Sequence, residues 1–291
     1  MDPWLTDAIK ELLFRPCLDI SGHVGRRLEN RLRMNQSIDE RALTEDLVDR
    51  FDSSSGVSSW SGVLDRLRDQ QIHLNTSIKK ATREHQVGAD IGITIRRSIY
   101  QRDARSSSTY AVLVQCKRID AEGSVSDFFH EVKGSGKRQS ALMLDITPSS
   151  FYFIFTPPAL LKTYCTVEPI AFASSAPGCS SPVWNMGCFE FDSQAFPFLS
   201  AEQKAQATGI LVVPALAVQA QEARGKSAAI RDFLPNSLPF WYWFGELLIP
   251  GFIGDSSERT LSVAKNVFGP EDSRSEEFGV RYSVQFGFGN G

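Results

Sequence analysis

Residues 110–117 read YAVLVQCK, a near-continuous apolar run that stops at a glutamine and a lysine two positions apart. A run of this kind marks a strand buried on both faces, which an α/β protein with helices on either side of its sheet provides. A short way upstream, residues 88–95 read GADIGITI, a second strand-like run with one aspartate at its head. The polar segment 101–109, QRDARSSST, has the length of a hairpin loop between them. A hairpin would set Asp90 beside residues 115–117. Period two sends Gln115 and Lys117 to one face and Cys116 to the other. An acid, an oxygen ligand and a lysine then converge at the end of a buried strand, where ligands gather in open α/β sheets.

The flanking pattern predicts a central mixed β-sheet flanked by helices. Residues 4–15 and about 22–34 are expected to be helical. Residues 39–52, DERALTEDLVDRFD, set Leu43, Leu47 and Phe51 on one stripe of a helix. The segment DSSSGVSSWSG reads as a Ser/Gly linker, residues 60–69 as a short helix and 72–81 as a strand. Residues 126–146 read as one or two helices broken at Gly134 and Gly136, followed by a strand, SSFYFIF, stopped by Pro157 and Pro158. Beyond residue 160 the pattern predicts a helix over 201–207, then a strand with a proline bend at GILVVPALAV that leads into a helix through 219–234. The aromatic segment near residue 240 is core or interface, and EEFGVRYSVQFGFG is an edge strand or a frayed tail. The expected division is an N-terminal helical segment (1–35), a core (36–160) and a C-terminal extension (161–291). No clear linker sets the last part aside, so it is expected to pack in the same domain.

Composition narrows the classes. With 42% hydrophobic residues in 291, the chain can bury a sizeable core, and a net charge of -3 gives no global attraction for polyanions. The charge is uneven, however. Between Lys79 and Arg118 there are nine Lys/Arg (79, 80, 83, 96, 97, 102, 105, 117, 118) against Glu84, Asp90 and Asp103. This stripe can bind a polyanion or simply be a solvated face. Five cysteines form no CxxC pair and no Cys/His cluster, which argues for reduced thiols in the cytoplasm and against structural zinc. The first residues, MDPWLTDAIKELLF, lack a basic segment followed by an apolar one and do not read as a secretion signal. LPFWYWFGELLIPGFIG is broken by Pro239, Glu246 and Pro250 and is too short for a bilayer span, so no membrane association is expected. HEVKGSGKRQS fails as a P-loop, because Glu131 and Arg138 stand where glycine and Ser/Thr are required.

GAD…VQCK resembles the D-x(n)-(E/Q)-x-K signature of the PD-(D/E)xK nuclease superfamily, in the variant where glutamine replaces the first glutamate, as in Mrr-like enzymes. ERALTEDL is similar to a helix found upstream in bacterial members. EHQVGAD matches an E-x-x-x-G-A-D pattern, and Gln139, Leu142 and FYFIF match a Q-x-x-L helix and its following strand. The resemblance covers roughly residues 36–160. It implies a restriction-endonuclease-like core and a Mg²⁺- or Mn²⁺-dependent endonuclease that hydrolyses phosphodiester bonds of nucleic acid, with DNA favoured and RNA left open, in bacterial defence, restriction or repair. Asp90, Gln115 (through its amide oxygen), the Cys116 carbonyl and Glu40 would be the metal ligands. Lys117 would position water or neutralise charge on the phosphate. Glu84 would complete the site or orient a lysine. Lys79, Lys80, Arg96, Arg97, Arg118 and Gln139 would contact the substrate.

Glu40 and Glu45 compete for the place of the helix-borne acid. At about 100° per residue, Glu40 falls between Leu47 and Phe51 on the apolar stripe, while Glu45 lies nearly opposite, which favours Glu40. A capping box, with Ser37 as N-cap and Glu40 three residues on, is the structural alternative. Two other functions fit the same fold. One is a catalytically inactive nucleic-acid-binding module. The other is a protein-interaction subunit or homo-oligomer that docks through the aromatic segment 239–252.

Overall fold

The structure, a computed structural model, describes residues 7–81, 87–101, 104–125, 128–132, 135–157, 171–172, 189–190, 209–222, 228–233, 237–266 and 279–290. Helix α1 (Asp7–Arg33) is one helix of 27 residues, not the expected two, and it runs through Pro16. Proline removes one backbone hydrogen bond and would ordinarily break the helix. Here Ile9, Leu13, Cys17, Ile20, Val24 and Leu28 form one buried stripe that anchors both sides of the proline. Helix α2 (Glu40–Phe51) is capped by Asp39, whose side chain accepts from the Arg41 N–H at 3.0 Å. Ser37 is therefore not the cap, and Glu40 is the first helical residue. Helix α3 (Leu64–Asp69) follows. The Ser/Gly stretch before it is not a bare linker, since Trp60 is fully buried.

Strands β1 (Ile72–Lys80), β2 (Ile91–Gln101) and β3 (Ala104–Arg118) come next. The β2–β3 ladder runs from Ile91↔Val114 to Gln101↔Ala104, so most of the predicted polar loop is strand. Ser and Thr there occupy a solvated ribbon, where strand pairing needs no apolar side chain. The two-residue β4 (Ser124–Val125) and helix α4 (Gln139–Ile146) follow; α4 is the only helix among the described residues of 126–146. Strand β5 (Ser150–Phe155) is buried throughout. Short strands β6 (Ala171–Phe172) and β7 (Phe189–Glu190) pair with each other. Then come β8 (Ile210–Pro214), α5 (Ala215–Glu222), β9 (Ala228–Ala229), which pairs with β4, and β10 (Leu238–Pro239). Helix α6 (Phe240–Tyr242) continues as a π-helix over Trp243–Leu248. Helix α7 (Glu258–Lys265) and strand β11 (Tyr282–Asn290) complete the order. The predicted helix over 201–207 lies outside the described residues.

Seven strands form a mixed sheet in the order β1-β11-β2-β3-β5-β8-β10. This is the expected α/β architecture. One expectation changes: β11 is not an edge strand or a tail. It inserts between β1 and β2, antiparallel to the first and parallel to the second. One face of the sheet carries Phe151, Phe153 and Phe286. They pack on α2 and α6 through Phe51–Phe286 (5.5 Å between ring centroids), Phe151–Trp243 (5.1 Å) and Phe153–Phe240 (5.5 Å). Helix α1 joins this layer through Phe14–Trp241 at 4.8 Å. The aromatic segment is therefore core, not a surface awaiting a partner. Phe240, Trp241, Trp243, Phe244, Leu247 and Leu248 are all buried, and Phe252 alone among its large apolar residues is mostly exposed, at 64%. No helix among the described residues is long and apolar enough to cross a membrane.

Helix α7 lies on the opposite face, directly against the backbone of β2. A Cβ at Gly92 would stand 2.5 Å from the Ala264 Cα and 2.6 Å from its carbonyl oxygen. Only a hydrogen fits there. Gly92→Ala is expected to destabilise the fold by about 1–3 kcal/mol in denaturant melts, because the helix has to lift off the sheet. Gly287→Ala in β11, where the nearest atom is 3.8 Å from the added Cβ, should stay within about 0.5 kcal/mol of wild type.

Candidate active site

The β2–β3 register sets residue 90 opposite residue 115, as the hairpin predicted. The Asp90 backbone is held from both sides. Its N–H donates to the Val114 carbonyl at 2.8 Å, and its carbonyl accepts from the Tyr282 N–H at 2.8 Å. The approach to it is a tight turn at Gly88, whose φ of +75° suits glycine. A Cβ at Gly88 would meet the Gln139 carbonyl at 2.7 Å, so the turn presses on the start of α4. Period two then places Asp90, Gln115 and Lys117 on the α4/α7 face of the sheet.

Asp90, Gln115 and Lys117 are all buried, at 8%, 3% and 5% exposure. Burying polar and charged groups is costly unless each finds a partner. Asp90 Oδ2 accepts from Gln115 Nε2 at 2.6 Å and from the Cys116 N–H at 3.0 Å. The Gln115 amide also donates to the Cys116 carbonyl at 3.1 Å. Gln115 was expected to offer its oxygen here, but its nitrogen faces Asp90. Two acceptors meet that end of the side chain, so the NH₂ turns to them. Lys117 Nζ stands 3.7 Å from Glu40 Oε1. Glu40 thus reaches the site from the first turn of α2, while Glu45 stays on the outer side and binds Lys80 (2.8 Å) and the Tyr282 hydroxyl (2.9 Å).

The Glu40 carboxyl is strongly perturbed. Burial pushes its pKa up from 4.5 to about 7, the Asp90 charge adds to the rise, and Lys117 and the Arg118 N–H oppose it. Its side chain is still 29% exposed, so the acid can meet solvent. The Cys116 thiol faces the other way, towards Thr44 of α2, and burial pushes its pKa well up, as suits core packing rather than a nucleophile.

The remaining predicted residues do not form one stripe. Adjacent strand residues point to opposite faces, which separates Lys79 from Lys80 and Arg96 from Arg97. Lys79 is exposed on the Asp90 face. Lys80 is tied to Glu45 on the other. Arg96 is exposed but six residues along β2 from Asp90, about 20 Å at strand rise. Arg97 serves the fold: it donates to the Pro250 carbonyl at 2.7 Å and to Ser108 at 3.1 Å, and stacks over Tyr110. Arg118 is half-buried, and its N–H is spent on Glu40. Gln139 opens α4 beside the Asp90 turn, and its buried Oε1 has no hydrogen-bond partner among the described residues. Glu84 lies outside the described residues.

One site residue was missed. Arg281, just ahead of β11, places Nη1 3.4 Å from Asp90 Oδ1. Its signal was an arginine heading an alternating strand, as Asp90 heads β2, but the strand's neighbour could not be read from its pattern. No protein-family model, curated protein or solved structure matches this chain. Among the described residues, no group of three or more His, Cys, Asp or Glu side chains gathers to hold a metal ion. The hard oxygens present are the two carboxylates, the Cys116 carbonyl and the Gln115 amide oxygen. That set, rich in carboxylate and carbonyl, fits Mg²⁺ or Mn²⁺ and not a soft metal.

The raised pKa of Glu40 has a definite sign. Folded Glu40 holds its proton to about pH 7 and unfolded Glu40 to about 4.5, so its contribution to stability is full below 4.5 and is lost as pH rises through 7. The melting temperature of wild type relative to Glu40→Gln should therefore fall between pH 5 and pH 8. A pH-independent difference would remove Glu40 from the buried site.

Proposed function

We propose that this chain is a metal-dependent nuclease of the PD-(D/E)xK type that hydrolyses phosphodiester bonds of nucleic acid. The observation that carries the reading is convergence: Asp90 from the head of β2, Gln115 and Lys117 from the end of β3, and Glu40 from α2 meet at one place at the ends of the strands. The preference for DNA over RNA, and a role in bacterial restriction or defence, follow from the resemblance alone.

Asp90, Glu40 and the Cys116 carbonyl would hold Mg²⁺ or Mn²⁺, and Gln115 would join through its oxygen by turning its amide over. When bound, the cation polarises the scissile phosphate and lowers the pKa of water. Lys117 brings a positive charge that a phosphate gaining negative charge would meet, in a setting largely shielded from solvent. Glu40, half-protonated near pH 7 without metal, would give up its proton on joining the cation. Its ionised form is the one that binds a cation, so metal affinity should rise with pH through 7. Lys79, exposed on the same face, would contact backbone phosphate.

One observation favours a second reading. Arg281 and Lys117 already balance Asp90 and Glu40, as a catalytically inactive nucleic-acid-binding module on this fold would require. Cleavage of plasmid DNA and single-stranded RNA in Mg²⁺, Mn²⁺ or EDTA separates the two. Wild type should cut in metal and not in EDTA. Asp90→Asn should abolish cleavage, and Lys117→Ala should lower it by about 10²–10³-fold. Undiminished cleavage by either folded variant overturns the nuclease reading, and binding without cleavage by wild type supports the inactive module.

A further inference from the structure

We propose that His23, Asp46 and Arg50 form a pH-sensitive latch between α1 and α2, closed while the His23 ring is neutral and opened when it gains a proton. The latch belongs to the fold and does not rest on the nuclease reading. One contact sets it: Arg50 Nη2 lies 2.8 Å from His23 Nδ1. A guanidinium only donates, so Nδ1 is the accepting, unprotonated nitrogen. The proton of the neutral ring is then on Nε2, which stands 2.9 Å from Asp46 Oδ2. A second proton can go only to Nδ1, where it faces the guanidinium. Protonation thus replaces a hydrogen bond with the approach of two cations.

The rest of the Arg50 head is committed elsewhere. Nη1 donates to Asp19 at 3.2 Å and to Ser59 at 3.4 Å. The buried Nε has no hydrogen-bond partner among the described residues. With His23 charged, Nη2 loses its acceptor as well, and a donor left unsatisfied away from water is costly. The ring itself is open to protons from solvent, since its side chain is 33% exposed. The charged groups around it are Asp19, Arg26 and Arg27 of α1 and Asp46 and Arg50 of α2; Arg27 shares Asp46 with the ring, at 3.2 Å. Burial holds the pKa of the ring below the usual 6.5; Asp46 and Asp19 oppose the fall, and Arg50 and Arg26 add to it. Folded His23 therefore takes up its proton at lower pH than unfolded His23. Its contribution to stability is full above pH 6.5 and is lost as pH falls below it. Helix α2 carries Glu40 at its other end, so the latch sits on the helix that delivers this acid.

The test is a nuclear magnetic resonance titration of the full chain carrying isotope-labelled histidine. The His23 signals, assigned by their loss in His23→Asn, should show the Nε2–H tautomer and a midpoint below 6.5. In Arg50→Met the midpoint should move up, because the opposing charge is gone and Asp46 remains. His23→Asn keeps an acceptor near the place of Nδ1 but has no proton to gain; His23→Gln serves if that variant folds poorly. The melting temperature of wild type relative to the variant should fall as pH is lowered from 7.5 to 5. Over the same range, wild type and not the variant should lose hydrogen-exchange protection where α1 meets α2. An Nδ1–H tautomer, a midpoint at or above 6.5 or unmoved in Arg50→Met, a pH-independent difference in melting temperature, or protection that stays constant overturns the latch.

Discussion

The parallel ladder between β11 and β2 is the interaction on which the rest of the structure depends. Strands β1 and β2 are consecutive in sequence yet do not touch, because β11 fills the gap between them. Until residues 282–290 arrive, β1 has no partner in the sheet and one side of β2 is bare. The same ladder seats Phe286 under Phe51 and Trp60, which ties α2 to the sheet. It also brings Arg281 level with Asp90. The pairing joins residues nearly 200 apart in the chain, and its closure entropy is met only when both faces of the sheet can be buried at once. The site thus depends on a long-range closure of the sheet.

The site itself works against stability. Two carboxyls and two cations are largely withdrawn from water, and buried ion pairs rarely repay the loss of hydration. What keeps them in place is mutual satisfaction. Asp90 Oδ2 takes two N–H donors, Lys117 faces Glu40 and Arg281 faces Asp90. Packing of the same volume with apolar side chains would be at least as stable. Stability alone therefore does not account for a polar cluster at the ends of otherwise apolar strands. The elevated pKa of Glu40 expresses the same tension, since one acid of the four-group cluster is only partly ionised at neutral pH.

Local signals in the sequence were legible, and partners far along the chain were not. The apolar run of β3 and the aspartate ahead of β2 predicted their register, because a hairpin is a short-range object. The helical wheel separated Glu40 from Glu45, because burial of the Leu43–Leu47–Phe51 stripe fixes the rotation of α2. The position of β11 was illegible, since period two says that a strand has faces but not which strand it joins. With it went Arg281. Helix α1 was expected as two helices, whereas one buried stripe carries it through Pro16. The aromatic segment was ambiguous in principle: core and interface use the same residue types, and only the opposing Phe51, Phe151 and Phe153 decide for core. The Gln115 amide turns its nitrogen to Asp90, an orientation that depends on what faces it and not on its place in the strand.

The basic stripe shows how far charge counting carries. Nine Lys/Arg within forty residues suggest a track for a polyanion. Folding into strands distributes adjacent members to opposite faces, and an eleven-residue strand carries others to its far end. Lys80 and Arg97 then serve as structural ties, to Glu45 and to the Pro250 carbonyl. On the face of Asp90, near the site, the described positive groups are Lys79, Lys117 and Arg281, drawn from three different strands or their ends. Two belong to the counted stripe and one lies more than 160 residues beyond it. A patch of three charges is narrower than a track, and it centres on the carboxylates instead of running past them. Under the proposed nuclease function, such a patch would grip one or two phosphates and would not bind duplex along its length.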